Sequence, residues 1–359
     1  MKKWMICLVV LLLALTVPAR AAEIPQELED ALPEEASQLL QDTELDGTDS
    51  LQSGISGILE KVSGQILGIL KERLRGAVLV LLVVLLCGVI DGVRQGTGDA
   101  GVELMPLAGA LSVTMVSAGS LNSLIGLGAE TIDSMSAFSK ALLPTLAAAT
   151  AAAGALGTAT VQQVTTVFFV DLLLQMIHGF LMPLVYLYIG VLTAGAMLSD
   201  SRLSGISTAL KKVITWVLSV SLIAFTVYLS VVRVISGSAD SAAIKVAKAT
   251  ISGTIPVVGS ILSEASETVL AGAGMLKNTI GVFGMLAVLA ICAIPFLQLG
   301  IQYLFYKPTA FLAGTMGPPG LCKLVDGLAG VFGLVLGMTG ACALLLLVSV
   351  LSSIAAVMP

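Results

Sequence analysis

Apolar runs long enough to cross a bilayer recur along this chain, and they restrict its fold more than any other feature. "GAVLVLLVVLLCGVIDGV" (Gly76–Val93) is followed by comparable runs at Leu104–Leu127, Val213–Ile235, Gly281–Gln302 and Leu328–Ser352. A run of about 18 or more such residues reads as a transmembrane helix, because the hydrocarbon core is about 30 Å thick and a helix satisfies its own backbone hydrogen bonds there. Charge is too scarce for a water-facing surface: 11% of residues are charged and 57% hydrophobic, against about 25% charged in soluble domains. The fold class is therefore all-α, a polytopic helical membrane protein.

The number of crossings depends on two further segments. Thr160–Ser199 is a largely apolar stretch too long for one crossing at about 1.5 Å per residue, so two spans are expected, with a turn near His178, Gly179 and Pro183. "ALLPTLAAATAAAGALGTAT" (Ala141–Thr160) is small enough either to span or to pack among other helices. The expected count is seven or eight.

At the amino terminus, Lys2 and Lys3 precede an apolar core, Trp4–Val17, and then Ala19-Arg20-Ala21. That order matches a secretory signal with an A-x-A cleavage site, so residues 1–21 are expected to be removed, the alternative being an uncleaved signal anchor, and in either case the segment after them is exported. Ten of the 23 acidic residues lie between Glu23 and Asp49, with no Lys or Arg between Arg20 and Lys61. Residues 22–75 thus read as an acidic extracytoplasmic segment. It ends in an amphipathic helix carrying Ile55, Leu59, Val62, Ile66, Ile69 and Leu70, then Lys71, Arg73 and Arg75. This helix suits the membrane surface or a partner, or extends the first span. The multi-pass membrane domain occupies 76–359. Arg202, Lys211 and Lys212 form its best basic loop, and placing them inside favours eight spans with both ends outside; Lys245, Lys248 and Lys277 would then lie outside against the same tendency, so the side of the C-terminus stays open.

Between two spans, Ser236–Gly281 is neither apolar enough to cross nor polar enough for an ordinary loop. Ile244, Ala247 and Ile251 share one face while Lys245 and Lys248 lie on another; Ser252-Gly253-Thr254-Ile255-Pro256 then breaks the helix, since proline removes a donor. Beyond it, Val258, Leu262, Ala265, Val269 and Leu276 oppose Ser260, Ser263, Glu264 and Glu267. Residues 236–281 are expected to form an amphipathic helical hairpin with one wet side: an interfacial loop, a re-entrant or pore-lining element, or a docking surface.

Sites for chemistry are scarce. His178 is the one histidine, which rules out HExxH zinc chemistry. The five cysteines, Cys7, Cys87, Cys292, Cys322 and Cys342, form no CxxC pair. No Walker A or GxGxxG motif occurs. No catalytic, cofactor or metal site is expected, and no nucleic-acid partner. Asp171 and His178 are two helical turns apart, and ionisable groups at membrane depth are costly and often functional. Glu130, Asp133 and Lys140 read as interface markers.

"VRVISGSADSAAIKVAKATISGTIPVVGSILSEASETVLAGAGMLKNTIGVFG", with "FSKALLPTLAAATAAAG", "YKPTAFLAG", the signal sequence and the acidic segment, resembles the stage III sporulation protein AE family of endospore-forming bacteria. The resemblance implies a non-enzymatic subunit in the mother-cell membrane around the engulfed forespore. It also implies partnership with co-encoded stage III proteins and a forespore-membrane protein in a channel-like complex needed late in forespore development. The rival reading is a stand-alone secondary transporter with a polar site near Asp171.

Overall fold

The computed structural model describes residues 24–40, 50–97, 104–198, 201–254 and 258–355, with backbone alone along 233–269. The expected signal sequence and its cleavage site, the acidic stretch from Gln41 to Asp49, and Ile255–Val257 lie outside the described residues. Two short helices, α1 (Gln26–Asp30) and α2 (Glu34–Leu40), precede the membrane helices. These are α3 (Ser50–Thr97), α4 (Leu104–Ala152), α5 (Leu156–Met176), a π-helical turn (Ile177–Leu181), α6 (Met182–Leu198), α7 (Ser201–Thr254), α8 (Val258–Met316) and α9 (Pro319–Ala355). Every described element is helical, as expected.

Six helices among the described residues are long and apolar enough to cross a membrane. The expected seven or eight was approximate, for two reasons. Ala141–Ala152 continues α4 rather than forming a span. The turn expected near His178 is absent: 159–198 is one candidate span, running through the π turn without reversing. The count assumed that a helix must fit the bilayer. Here each is longer than a crossing requires, and α7 and α8, with 54 and 59 residues, extend about 80–90 Å.

The amphipathic helix before the first span is part of that span, since α3 runs unbroken from Ser50. Its buried side is Gly54, Ile58 and Val62, while Leu59 and Leu67 stay exposed. Gly54 allows this contact: a Cβ there would lie 2.5 Å from a Leu286 methyl of α8. The expected break between the hairpin arms falls where Gly253 and Pro256 put it, between the end of α7 at Thr254 and the start of α8 at Val258. Each arm continues its neighbouring span.

α9 is the central helix. It packs most extensively on α8 and also contacts α4, α5, α6 and α7. Its composition explains the position: with little hydrophobic drive between helices in lipid, close approach through small residues takes over. A Cβ on Gly327 of α9 would meet the Leu192 methyls of α6 at 2.5 Å. At the α4–α5 link, Gly154 takes φ 95° and the Ala155 N–H reaches back to the Thr150 carbonyl, a glycine-dependent helix termination.

Candidate functional site

The apolar run of α4 ends at Leu127, and ionisable residues follow. Glu130, Asp133, Ala137 and Lys140 recur at helical spacing and are all exposed. The opposite side of the same turns is packed: Ile132, Met135 and Ser136 meet Val170 and Leu173 of α5 and Cys342, Leu345 and Leu346 of α9. Cys342 lies near the middle of the apolar length of α9. The charged face of α4 therefore lies level with the middle of α9 and beyond the apolar run of its own helix.

The π turn delivers the remaining member. Pro183 has no N–H for the Gly179 carbonyl and crowds it; widening the turn accommodates the ring. The Met182 N–H accordingly reaches the Ile177 carbonyl, five residues back. His178 projects from this turn, and its Nε2 lies 3.1 Å from Asp133 Oδ1. Their side chains are 41% and 64% exposed, so the pair contributes little stability, about 0.2–1 kcal/mol. Chemically, it can hold a proton or present a polar contact.

Of the residues singled out in the sequence, Glu130, Asp133, Lys140 and His178 share this region, while Asp171 stands apart. Asp171 is half-buried, and His178 pairs with Asp133 across the helix interface rather than with Asp171 along its own helix. The void beside the neighbours of Asp171, Val170 and Leu173, is about 10 Å³, room for one water at most. Glu264 and Glu267 lie where side chains are outside the described residues.

A second polar feature escaped sequence reasoning. Arg73, read there as part of an exported basic cluster, is 10% exposed, and its Nη2 donates to Gln298 Oε1 of α8 at 2.9 Å. One and two turns farther along α8 come Gln302 and Tyr306, both buried. The Tyr306 hydroxyl donates to Ser117 Oγ of α4 at 3.1 Å. Neither amide atom of Gln302, nor Arg73 Nε, has a partner in full hydrogen-bond geometry among the described residues. The available signal was the four-residue spacing of Gln298, Gln302 and Tyr306 inside an apolar run.

The family model described as "Stage III sporulation protein AE" matches residues 36–357. The chain belongs to the stage III sporulation protein AE family. The match takes in all six candidate membrane helices, the exposed charged face and the buried polar column of this family member. A curated relative, "Stage III sporulation protein AE" of Bacillus subtilis (strain 168), is 27% identical over 196 residues. The aligned part covers 54% of this chain and 48% of the relative, so the chain spans about half the length of the curated relative it matches. No solved structure matches.

Proposed function

We propose that the protein is a non-enzymatic membrane subunit of a sporulation assembly. It sits in the mother-cell membrane around the forespore and works in a channel-like complex with co-encoded stage III proteins and a forespore-membrane partner. Family membership supports the sporulation role. The observation that carries the subunit reading is the exposed face of Glu130, Asp133, Lys140 and His178, several ionisable groups gathered on one side of a bundle of apolar helices. Ionised side chains on a surface that faces lipid are costly. Several on one face oppose lipid contact and favour a partner's polar surface or a wet passage.

Six candidate spans among the described residues fit a bundle whose two ends share one side. Export of the N-terminal segment then leaves Arg202, Lys211 and Lys212 in the cytoplasm, as the positive-inside tendency favours. A solute site at Asp171 has no comparable support, given its half-buried position and the small void beside it. The test is deletion of the gene in its spore-forming host, with forespores imaged after engulfment. Arrested or collapsing forespores are expected, and normal refractile spores would overturn the proposal.

A further inference from the structure

At the end of the bundle where α6 meets α7 and α8 meets α9, a cavity of about 1060 Å³ opens between helices. We infer that this cavity binds a phosphate-bearing anion, with Lys211 as its central contact. Three lysines line it, Lys211, Lys307 and Lys323, against two carboxylates, Asp91 and Asp326. Lys307 is held in an ion pair with Asp326. Lys211 and Lys323 have no ion-pair partner among the described residues, so the lining keeps unspent positive charge.

The geometry around Lys211 is specific. Its Nζ lies 3.2 Å from the point a Cβ on Gly330 would occupy, and the Tyr188 hydroxyl lies 3.1 Å from the same point. The missing side chain at Gly330 thus lets an ammonium and a phenol converge against the central helix, the ammonium from α7 and the phenol from α6. Both are donors, and Thr208 lines the same wall. Two long helices, α7 and α9, also begin at this end, and helix N-termini favour negative charge. A basic pocket between transmembrane helices suits an anionic lipid headgroup, and the volume equally admits a soluble phosphate compound. The shared chemistry is a phosphate group held by lysine ammonium and hydroxyl donors.

The full chain, reconstituted in nanodiscs, distinguishes the two sources through its thermal unfolding midpoint, because a ligand that binds the folded state stabilises it. One arm compares discs of phosphatidylcholine with discs containing phosphatidylglycerol. The other titrates inorganic phosphate into phosphatidylcholine discs, with sodium chloride matched for ionic strength. A rise with phosphatidylglycerol alone assigns a lipid headgroup, and a rise with phosphate in neutral discs assigns a soluble ligand. Lys211→Gln is expected to weaken the response about tenfold, the loss of one charge-assisted hydrogen bond. Lys211→Arg should retain most of it, and Lys71→Gln, on an exposed part of α3, should leave it unchanged. If Lys211→Gln does not fold, Lys323→Gln carries the comparison. No response to either anion, equal responses from wild type and the lysine variant, or an equal loss in Lys71→Gln would overturn the inference.

Discussion

Gln302 and Gln298 are chemically identical and one turn apart, yet their environments set opposite expectations. Gln298 accepts from Arg73, whose side chain is 10% exposed. Gln298→Leu would leave that guanidinium only its 4.0 Å contact with the exposed Glu72 carboxylate and is expected to cost about 1–3 kcal/mol, the penalty for removing a buried polar group's close partner. Gln302 is fully buried, and neither of its amide atoms has a partner in full geometry among the described residues. If packing were its whole role, Gln302→Leu should be neutral or stabilising, because an apolar group of similar size removes the desolvation penalty. Thermal unfolding of both variants in the same detergent checks this, and loss of sporulation by a fully stable Gln302→Leu protein would assign the amide a functional task. His178→Ala and Asp133→Asn belong with the second kind of change. Each should shift stability by no more than about 1 kcal/mol, since their pair is exposed, while impairing spore formation. A silent phenotype in both would demote the pair to a tolerated surface contact.

Among the elements, chain breaks were readable where the backbone had no alternative. Gly253 and Pro256 end one helix and begin the next as expected, between Thr254 and Val258. Gly179 and Pro183 present a similar signal, and there the chain widens into a π turn and continues. The difference lies in tertiary packing: α5 and α6 both contact α4, α7 and α9, so the continuous rod packs on the same three helices along its whole length. Glu130, Asp133 and Lys140 were read as interface markers, but the pairing of Asp133 with His178 was not legible, because it depends on how α4 packs against the helix that carries the π turn. Arg73 was misjudged for the same reason, since its cover comes from α8, distant in sequence. The hairpin arms can be tested at this scale. Single cysteines at Glu264 and Glu267, in a background without native cysteines, are expected to react with a membrane-impermeant maleimide, and those at Leu262 and Val269 to react poorly. Equal labelling at all four, or at none, would contradict two-faced arms. At the α4–α5 link, Gly154→Ala is expected to cost about 1 kcal/mol in unfolding measurements, because φ 95° is unfavourable for a residue with a Cβ.

For the whole molecule, helices longer than a crossing needs and an exposed charged face both point outward, to contacts beyond a single chain. The lipid-compatible sides are plain: Met115, Trp216 and Phe311 are strongly exposed and apolar. Ala137, exposed between Asp133 and Lys140, lies on the side that lipid should not cover. The most direct measurement places a photocrosslinking amino acid at Ala137 and, separately, at Trp216, in cells harvested during sporulation. The expected result is a discrete protein adduct from position 137 that disappears when the purified chain is irradiated alone in nanodiscs, with no such adduct from position 216. The account of this chain as an assembly subunit would be contradicted if position 137 gave no protein adduct in sporulating cells, or gave the same products as position 216.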